Sequence, residues 1–419
     1  MRLKLAATAF MATALAGVGA MAQTTVKWLH IEMNPDIAAY WEELAREYEA
    51  GHPGVTIEMQ FLENEAFKAK LPTILQSDER PDIFYSWGGG VFQAQAEAGV
   101  LGDMTAAMNG DWAATLSPAG VDAFTYDGVV HGAPMLVSQV GFWYNKDLFA
   151  QAGVDAAAIG TWDDLLAAVQ TLKDAGITPI AAGGADKWPL HFYWTHLAIR
   201  LGGKAGFEAA TSGEGDGFAN EIFVHSGELF QQLTEMEPFQ DGYLAFTYPQ
   251  AAGYFGDGLA AMHLMGNWDY NTARSQSASG QGLSDEQLGW FPFPQVPGGA
   301  GAPTDTLGGI NGWLVSAGAP PEAADFLRFF LSPEHQREMG KRGYFIPVAV
   351  GAAEEMTNPF FRQISENIAA SQYHQIFYDQ MLGPSVGRVV NDVSTDLAAG
   401  VVTPQEAADL VQEAWEFEH

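Results

Sequence analysis

Val55-Thr56-Ile57-Glu58-Met59, then a helix-spaced run from Phe67 to Gln76, then Pro81-Asp82-Ile83-Phe84-Tyr85, is the stretch that decides the architecture. The β-branched and aromatic residues, set off by Gly51-His52-Pro53-Gly54 and by Pro81, read as two strands, and the apolar spacing between them reads as a helix. One unit earlier the pattern is the same. Val26 and Trp28 make a short strand, His30 to Pro35 a polar loop, and Ile37-Ala38-Ala39-Tyr40-Trp41-Glu42-Glu43-Leu44-Ala45 a helix. Strands alternating with helices predict an α/β protein with a parallel sheet. In such sheets the loops leaving the carboxyl ends of the strands open onto one crevice. Here those loops are His30-Ile31-Glu32-Met33-Asn34, Leu62-Glu63-Asn64 and Ser86-Trp87-Gly88-Gly89-Gly90, which places the first expected ligand site.

Working outward, 419 residues are enough for two or three domains with a large core. Nineteen basic residues against 51 acidic ones give a charge of −32, which repels the phosphates of nucleic acid and anionic lipid and makes both poor partners. Charged residues are only 17% and hydrophobic ones 47%, so the chain buries enough apolar surface to fold despite its acidity. Twelve tryptophans are a generous supply, some of which could serve as binding platforms rather than core.

Arg2 and Lys4, an apolar run from Leu5 to Gly19, and Ala20-Met21-Ala22 have the charged, apolar and small-residue layout of a secretory signal, with cleavage expected before Gln23. Losing it leaves 17 basic against 51 acidic residues, a charge of −34. There is no cysteine, so disulfides, thiolate metal sites, a Cys nucleophile and a lipid tether on cysteine are all excluded. No later apolar run spans a bilayer, and the expected location is a bacterial periplasm without direct membrane insertion.

Farther along, Gly128 to Pro134 carries hairpin chemistry, and Gly141 to Lys146 reads as a strand opening another βα region. Helices are expected at Trp162 to Lys173, Phe192 to Leu201, Glu221 to Thr234, Pro321 to Leu331 and Ser332 to Lys341. Loops are expected at Ser275 to Asp285 and Pro292 to Pro303, and a strand at Trp313-Leu314-Val315. Catalytic motifs are missing. Gly202-Gly203-Lys204-Ala205 lacks the first glycine and the hydroxyl of a Walker loop, and Gly88-Gly89-Gly90 lacks dinucleotide spacing. His191 and His196 stand five apart, wrong for two metal ligands on one helical face. A glycosidase needs two acids at a set spatial separation, which sequence spacing among 51 acids does not give.

What stands out is aromatic residues beside polar ones: Trp87 next to Gly88, Trp188-Pro189 with His191 and Tyr193, Gly266-Asn267-Trp268-Asp269, and Tyr373-His374 with Tyr378-Asp379. A pyranose presents a C–H face to a ring and hydroxyls to carboxylates, amides and imidazole, so this mixture suits a sugar. Each tryptophan taken singly reads equally well as core.

The order of several motifs resembles the extracellular solute-binding proteins of ABC transporters, in the sugar-binding family of maltose-type and oligosaccharide-type proteins. The residues that carry it are Pro81-Asp82-Ile83, Asp127-Gly128 with Gly132-Ala133-Pro134, Tyr144 to Phe149, Thr161 to Leu165, Lys173 to Pro179, Ala260-Ala261-Met262 with Gly266-Asn267-Trp268, Gly308-Gly309, Ser332-Pro333-Glu334, and Gly343 with Ile346-Pro347-Val348. The resemblance implies a type II periplasmic-binding-protein fold, two α/β lobes joined by a multi-crossing hinge with a ligand cleft between them. It implies lobe 1 over 23–136 and 292–311 and lobe 2 over 137–291 and 312–419, with crossings near Pro134 to Gln139, Leu288 to Pro294 and Gly309 to Val315. Carried over by motif, the site would take His30, Glu32, Asn34, Glu63, Ser86, Trp87 and Gly88 from lobe 1. Trp188, His191, Tyr193, Trp268 and Asp269 would come from lobe 2, Gly309 and Asn311 from the hinge, and Asp379 and Gln380 from a late loop. In that family's terms Trp268 and Trp188 would be stacking platforms, Asp269, Glu63 and Asp379 acceptors of hydroxyl protons, and Gly88 and Gly309 close backbone approaches. The implied partners are a sugar and the transporter's membrane permease, with no cofactor, no metal, no catalysis and a monomeric state. The alternatives are a secreted glycosidase or lectin-like module, a structural envelope protein, or a binding protein for a betaine, polyol or polyamine, the betaine held by a cage of aromatic rings and the polyamine by acids.

Overall fold

The computed structural model describes residues 23–419; the expected leader over residues 1–22 lies outside them. In chain order the strands are β1 Thr24–His30, β2 Val55–Phe61, β3 Ile83–Ser86, β4 Thr125–Tyr126, β5 Val129–Val130, β6 Gly132–Asn145, β7 Ile180–Ala181, β8 Met262–Gly266, β9 Leu288–Phe291, β10 Thr306–Val315, β11 Ile346–Pro347 and β12 His374–Ile376. All but the β4–β5 hairpin join one sheet in the order β2-β1-β3-β10-β6-β8-β7. That hairpin turns through Asp127 and Gly128, both at positive φ, the geometry that lets a two-residue loop follow the strand twist.

The expected α/β alternation is present at the amino end, where β1 pairs in parallel with both β2 and β3. Helix α1, Pro35–Gly51, follows β1; α2, Asn64–Ile74, follows β2; and α3, Gly89–Glu97, follows β3. The sheet as a whole is mixed, because β10 runs antiparallel to β3 and to β6. The connection into β10 arrives from the other half of the molecule rather than through a local crossover helix.

Two separate apolar cores stand on the sheet. The first is built on Trp28, fully buried, with Trp41 stacked at 5.6 Å and Trp313, Phe326 and Phe330 packed edge-on at 5.1, 5.2 and 4.8 Å. The second holds Trp143, Trp162, Trp194, Phe142, Phe293 and the late helices through Val386, Val390 and Leu397. Most of the tryptophan surplus is thus core: Trp28, Trp41, Trp143, Trp162, Trp194 and Trp313 are all shut away from water.

These cores divide the chain differently from the expected partition. Phe293, Val296 and Leu307 pack in the second core, whereas Trp313 through Met339 and Val348 pack in the first. The reason is β10. It begins in the second lobe, where Thr306–Gly308 pairs β12, and ends in the first, where Gly312–Val315 pairs β3 and the helices Pro321–Phe330 and Pro333–Lys341 follow. Lobe 1 is therefore the amino segment plus roughly Gly312 to Val348, and residues 352–419 return to lobe 2. The crossing expected at Leu288 to Pro294 is not one, since β9 pairs only the distal half of β6. The third passage between lobes runs instead through β11, which pairs Val137 and Leu136 of β6. The other two do coincide with β6 and β10, each long enough to serve both lobes. Where they cross, the register shifts by one residue beside Asn311 and Gly312, leaving Met135 without a partner. Such a bulge bends the strand and re-aims its side chains.

Candidate ligand-binding site

Between the lobes lies an open cavity with about 1110 Å³ of empty space, its mouth to solvent included. Lobe 1 contributes the loop after β1 with Glu32 and Met33, Asn64 and Lys68 of α2, Tyr85 at the end of β3, and Trp87. All three loops expected to converge at the strand ends contribute to it, the second through Asn64, which the structure places at the start of α2. Lobe 2 contributes Trp188, His191, Phe192, Tyr248, Trp268, Phe377, Asp379 and Gln380, and the crossing strands add Leu136 and Asn311.

Local chemistry explains how these side chains come to face inward. The helix Trp188–Thr211 starts one turn earlier than its expected apolar run, with Pro189 in its first turn after Lys187 at φ 62. Trp188, His191 and Phe192 then fall at i, i+3 and i+4 on one face. Trp268 lies over Gly266, where any side chain would collide with the indole, so the Gly-Asn-Trp order is a requirement of ring placement. Asn267 between them ties this turn to the middle of β6: its Oδ1 accepts the Gln139 N–H at 3.0 Å and its own N–H donates to Gln139 O.

Of the sixteen residues expected from the sequence, Glu32, Trp87, Trp188, His191, Trp268, Asn311, Asp379 and Gln380 line the cavity. The other eight are drawn into the scaffold. Asn34 caps α1, accepting from the Asp36 and Ile37 N–H groups, and Glu63 caps α2, accepting from those of Glu65 and Ala66. His30 lies beneath the loop, its Nδ1 accepting the Glu32 N–H at 3.2 Å; burial lowers its pKa to about 4 and keeps it neutral for that role. Ser86 Oγ accepts the Gly88 N–H. Gly88, at φ 70, makes the turn into α3 and faces the Ala123 and Ile310 carbonyls, not the cavity. Tyr193 points to the opposite face of its helix and stacks on Phe230 at 5.1 Å. Gly309 is covered by Phe377 and exchanges hydrogen bonds with Ser138. Asp269 faces the second core, where its Oδ2 accepts from His263 Nδ1 at 2.8 Å and its Oδ1 from the Tyr248 hydroxyl at 3.2 Å. It acts on the cavity only by fixing Tyr248.

Sequence reasoning missed Lys68. Its Nζ lies 3.3 Å from Asp379 Oδ2, 3.6 Å from Glu65 Oε1, and 5.3 and 5.7 Å from the ring centres of Trp87 and Trp188. Burial pushes the Asp379 carboxyl up, but Lys68, His191 and hydrogen bonds from Gln380 and Asn391 outweigh it, so it sits below the ordinary carboxylate range. Burial lowers the His191 imidazole below its ordinary range, against the pull of Asp379. Glu32 is raised to about 7, chiefly by burial, against hydrogen bonds from the Asn34 and Met33 N–H groups. Trp188 Nε1, both His191 nitrogens and Asn311 Oδ1 are buried without a hydrogen-bond partner. A cavity wall carrying such groups is poised for a polyhydroxylated guest, because unpaired buried polar atoms are costly. Among the described residues no cluster of three or more His, Asp or Glu is arranged to hold a metal ion.

The family model for bacterial extracellular solute-binding proteins matches residues 34–337. The chain belongs to that family. An uncharacterised ABC transporter extracellular-binding protein of Pyrococcus horikoshii is 23% identical over 88% of this chain and 83% of its own length. A solved structure from work on xylan utilization by the thermophilic bacterium Caldanaerobius polysaccharolyticus superposes with a TM-score of 0.86 at 26% identity, covering 93% of this chain and 99% of that one. A chitin oligosaccharide binding protein superposes at 0.85 with 24% identity, covering 94% and 98%. The solute-binding protein therefore has the two-lobed type II fold of its family, with the cavity in the cleft between the lobes. No helix among its described residues is long and apolar enough to cross a membrane.

Proposed function

We propose that this solute-binding protein captures a carbohydrate, an oligosaccharide in the first instance, in the interlobe cavity and delivers it in the periplasm to the permease of an ABC importer. The observation that carries this is the composition of the two walls. Indole rings from both lobes, Trp87 on one side and Trp188 and Trp268 on the other, offer faces for pyranose C–H groups. Around them stand Glu32, Asn64, Asn311, Gln380 and Tyr248, the amide, carboxylate and hydroxyl groups that take sugar hydroxyls. The relatives named for xylan use and for chitin oligosaccharides support the same class of cargo. A guest touching both walls favours the closed arrangement over the open one, and that shape is what a permease can read. The protein itself breaks no bond.

The test is a thermal-shift and calorimetric screen of residues 23–419 against xylo- and chito-oligosaccharides, monosaccharides and polyols. A ligand that binds only the folded state raises the melting temperature by mass action. One sugar series giving a clear shift with one-to-one stoichiometry is expected. No shift with any carbohydrate would overturn the proposal, and turnover of a bound glycoside would overturn its non-catalytic part.

A further inference from the structure

We propose that Lys68 is a resident cation that excludes positively charged solutes from the cavity and restricts the cargo to uncharged molecules, an inference that rests on reading the cavity as a sugar site. Trp87, Trp188 and Asp379 together form what an alkylammonium ligand seeks: two indole rings and a carboxylate around one point. That point is taken. The Lys68 ammonium lies within 6 Å of both ring centres, the range of cation–π attraction, at 5.3 and 5.7 Å, and pairs with Asp379 at 3.3 Å. The four groups come from distant places in the chain and from both lobes: Lys68 and Trp87 from lobe 1, Trp188 and Asp379 from lobe 2.

The whole-molecule charge gives the arrangement its purpose. A chain at −32 draws cations toward every cleft. Without Lys68, an anionic Asp379 beside two indoles would hold betaines, amines or amino sugars in competition with the cargo. With Lys68 in place an incoming cation meets like charge and an occupied carboxylate, whereas a neutral sugar meets an ion pair that is already balanced. Discrimination by building in a repulsive element needs no added attraction for the preferred ligand.

The experiment compares choline with its uncharged isostere 3,3-dimethyl-1-butanol on the wild type and on Lys68→Met, by thermal shift and calorimetry. The wild type is expected to respond to neither. Lys68→Met is expected to bind choline at least tenfold more tightly than the isostere. A wild type that binds choline, or a folded Lys68→Met that does not distinguish the two, overturns the proposal. Should Lys68→Met fail to fold, Lys68→Gln carries the same comparison and the same two outcomes. Wild-type protein that binds no carbohydrate but whose Lys68→Met form gains choline would overturn the sugar reading and leave the exclusion standing.

Discussion

At the scale of single residues, Trp268 and Asp269 are neighbours with opposite duties. Trp268 is half-buried and faces the cavity, whereas Asp269 is buried among groups it alone pairs, His263 and Tyr248. Removing one member of such a buried set leaves the others unsatisfied, at a cost of about 3 kcal/mol. Asp269→Ala is expected to lose about that much in denaturant unfolding, and Trp268→Ala to keep its stability better while losing more than tenfold in sugar affinity, about 1.4 kcal/mol. Equal stability losses would show that Trp268 is core. Glu32 carries a pH signature. Its folded pKa of about 7 lies above the ordinary 4.5, so between those values the fold holds a proton that the unfolded chain has released. Stability from this group is present below pH 4.5 and is lost as pH rises through 7. Glu32→Gln is therefore expected to raise the melting temperature at pH 8 and to leave it nearly unchanged at pH 4; a gain independent of pH would remove burial of the carboxylate as the cause. Trp87, Trp188 and Trp268 were legible because they stand beside glycine, proline and amide residues in the sequence, whereas Tyr85, Phe192, Tyr248 and Phe377 carry no such neighbours in common and went unread. Nor was Lys68 legible, since a lysine three residues after Glu65 on a helix reads as a solvated pair, and its decisive partner is 311 positions away.

At the scale of elements, the last two of the three glycines after Trp87 find their explanation in packing between lobes. A side-chain carbon on Gly89 would come within 2.8 Å of the Gln380 carbonyl oxygen, and one on Gly90 within 2.6 Å of that of Met381. Gly89 sits at positive φ, but Gly90 does not, so close approach alone accounts for its missing side chain. Alanine at position 90 favours the helix intrinsically by roughly 1 kcal/mol. Gly90→Ala is expected to fold normally yet to hold the lobes apart: scattering should report a larger radius of gyration with sugar present, and affinity should fall about tenfold. A variant as compact and as tight as wild type would show that the contact yields. The helices and strands themselves were largely readable, from capping residues and periodicity. Their allotment to lobes was not. A βα pattern looks alike in either lobe, and nothing in Thr306 to Val315 announces that one strand leaves lobe 2 at its start and enters lobe 1 at its end.

At the scale of the molecule, the two lobes are halves of one sheet stitched by β6, β10 and β11, so no cut through the sequence separates them. That the protein would be two-lobed followed from motif order spread along most of the chain, and the cleft from the rule that strand ends converge. The depth at which each residue sits depended on rotation about helices, as Tyr193 against His191 shows. The return of the chain to lobe 2 after residue 352 also bears on time. Phe377, Asp379 and Gln380, a wall of the cavity, all lie beyond residue 376, and so does the backbone on which Gly89 and Gly90 rest. A polypeptide made from its amino end completes lobe 1 before any of these residues exists. Until then Lys68 has no counter-charge across the cleft, and the receptor for the solute is absent from every nascent form that stops short of Gln380.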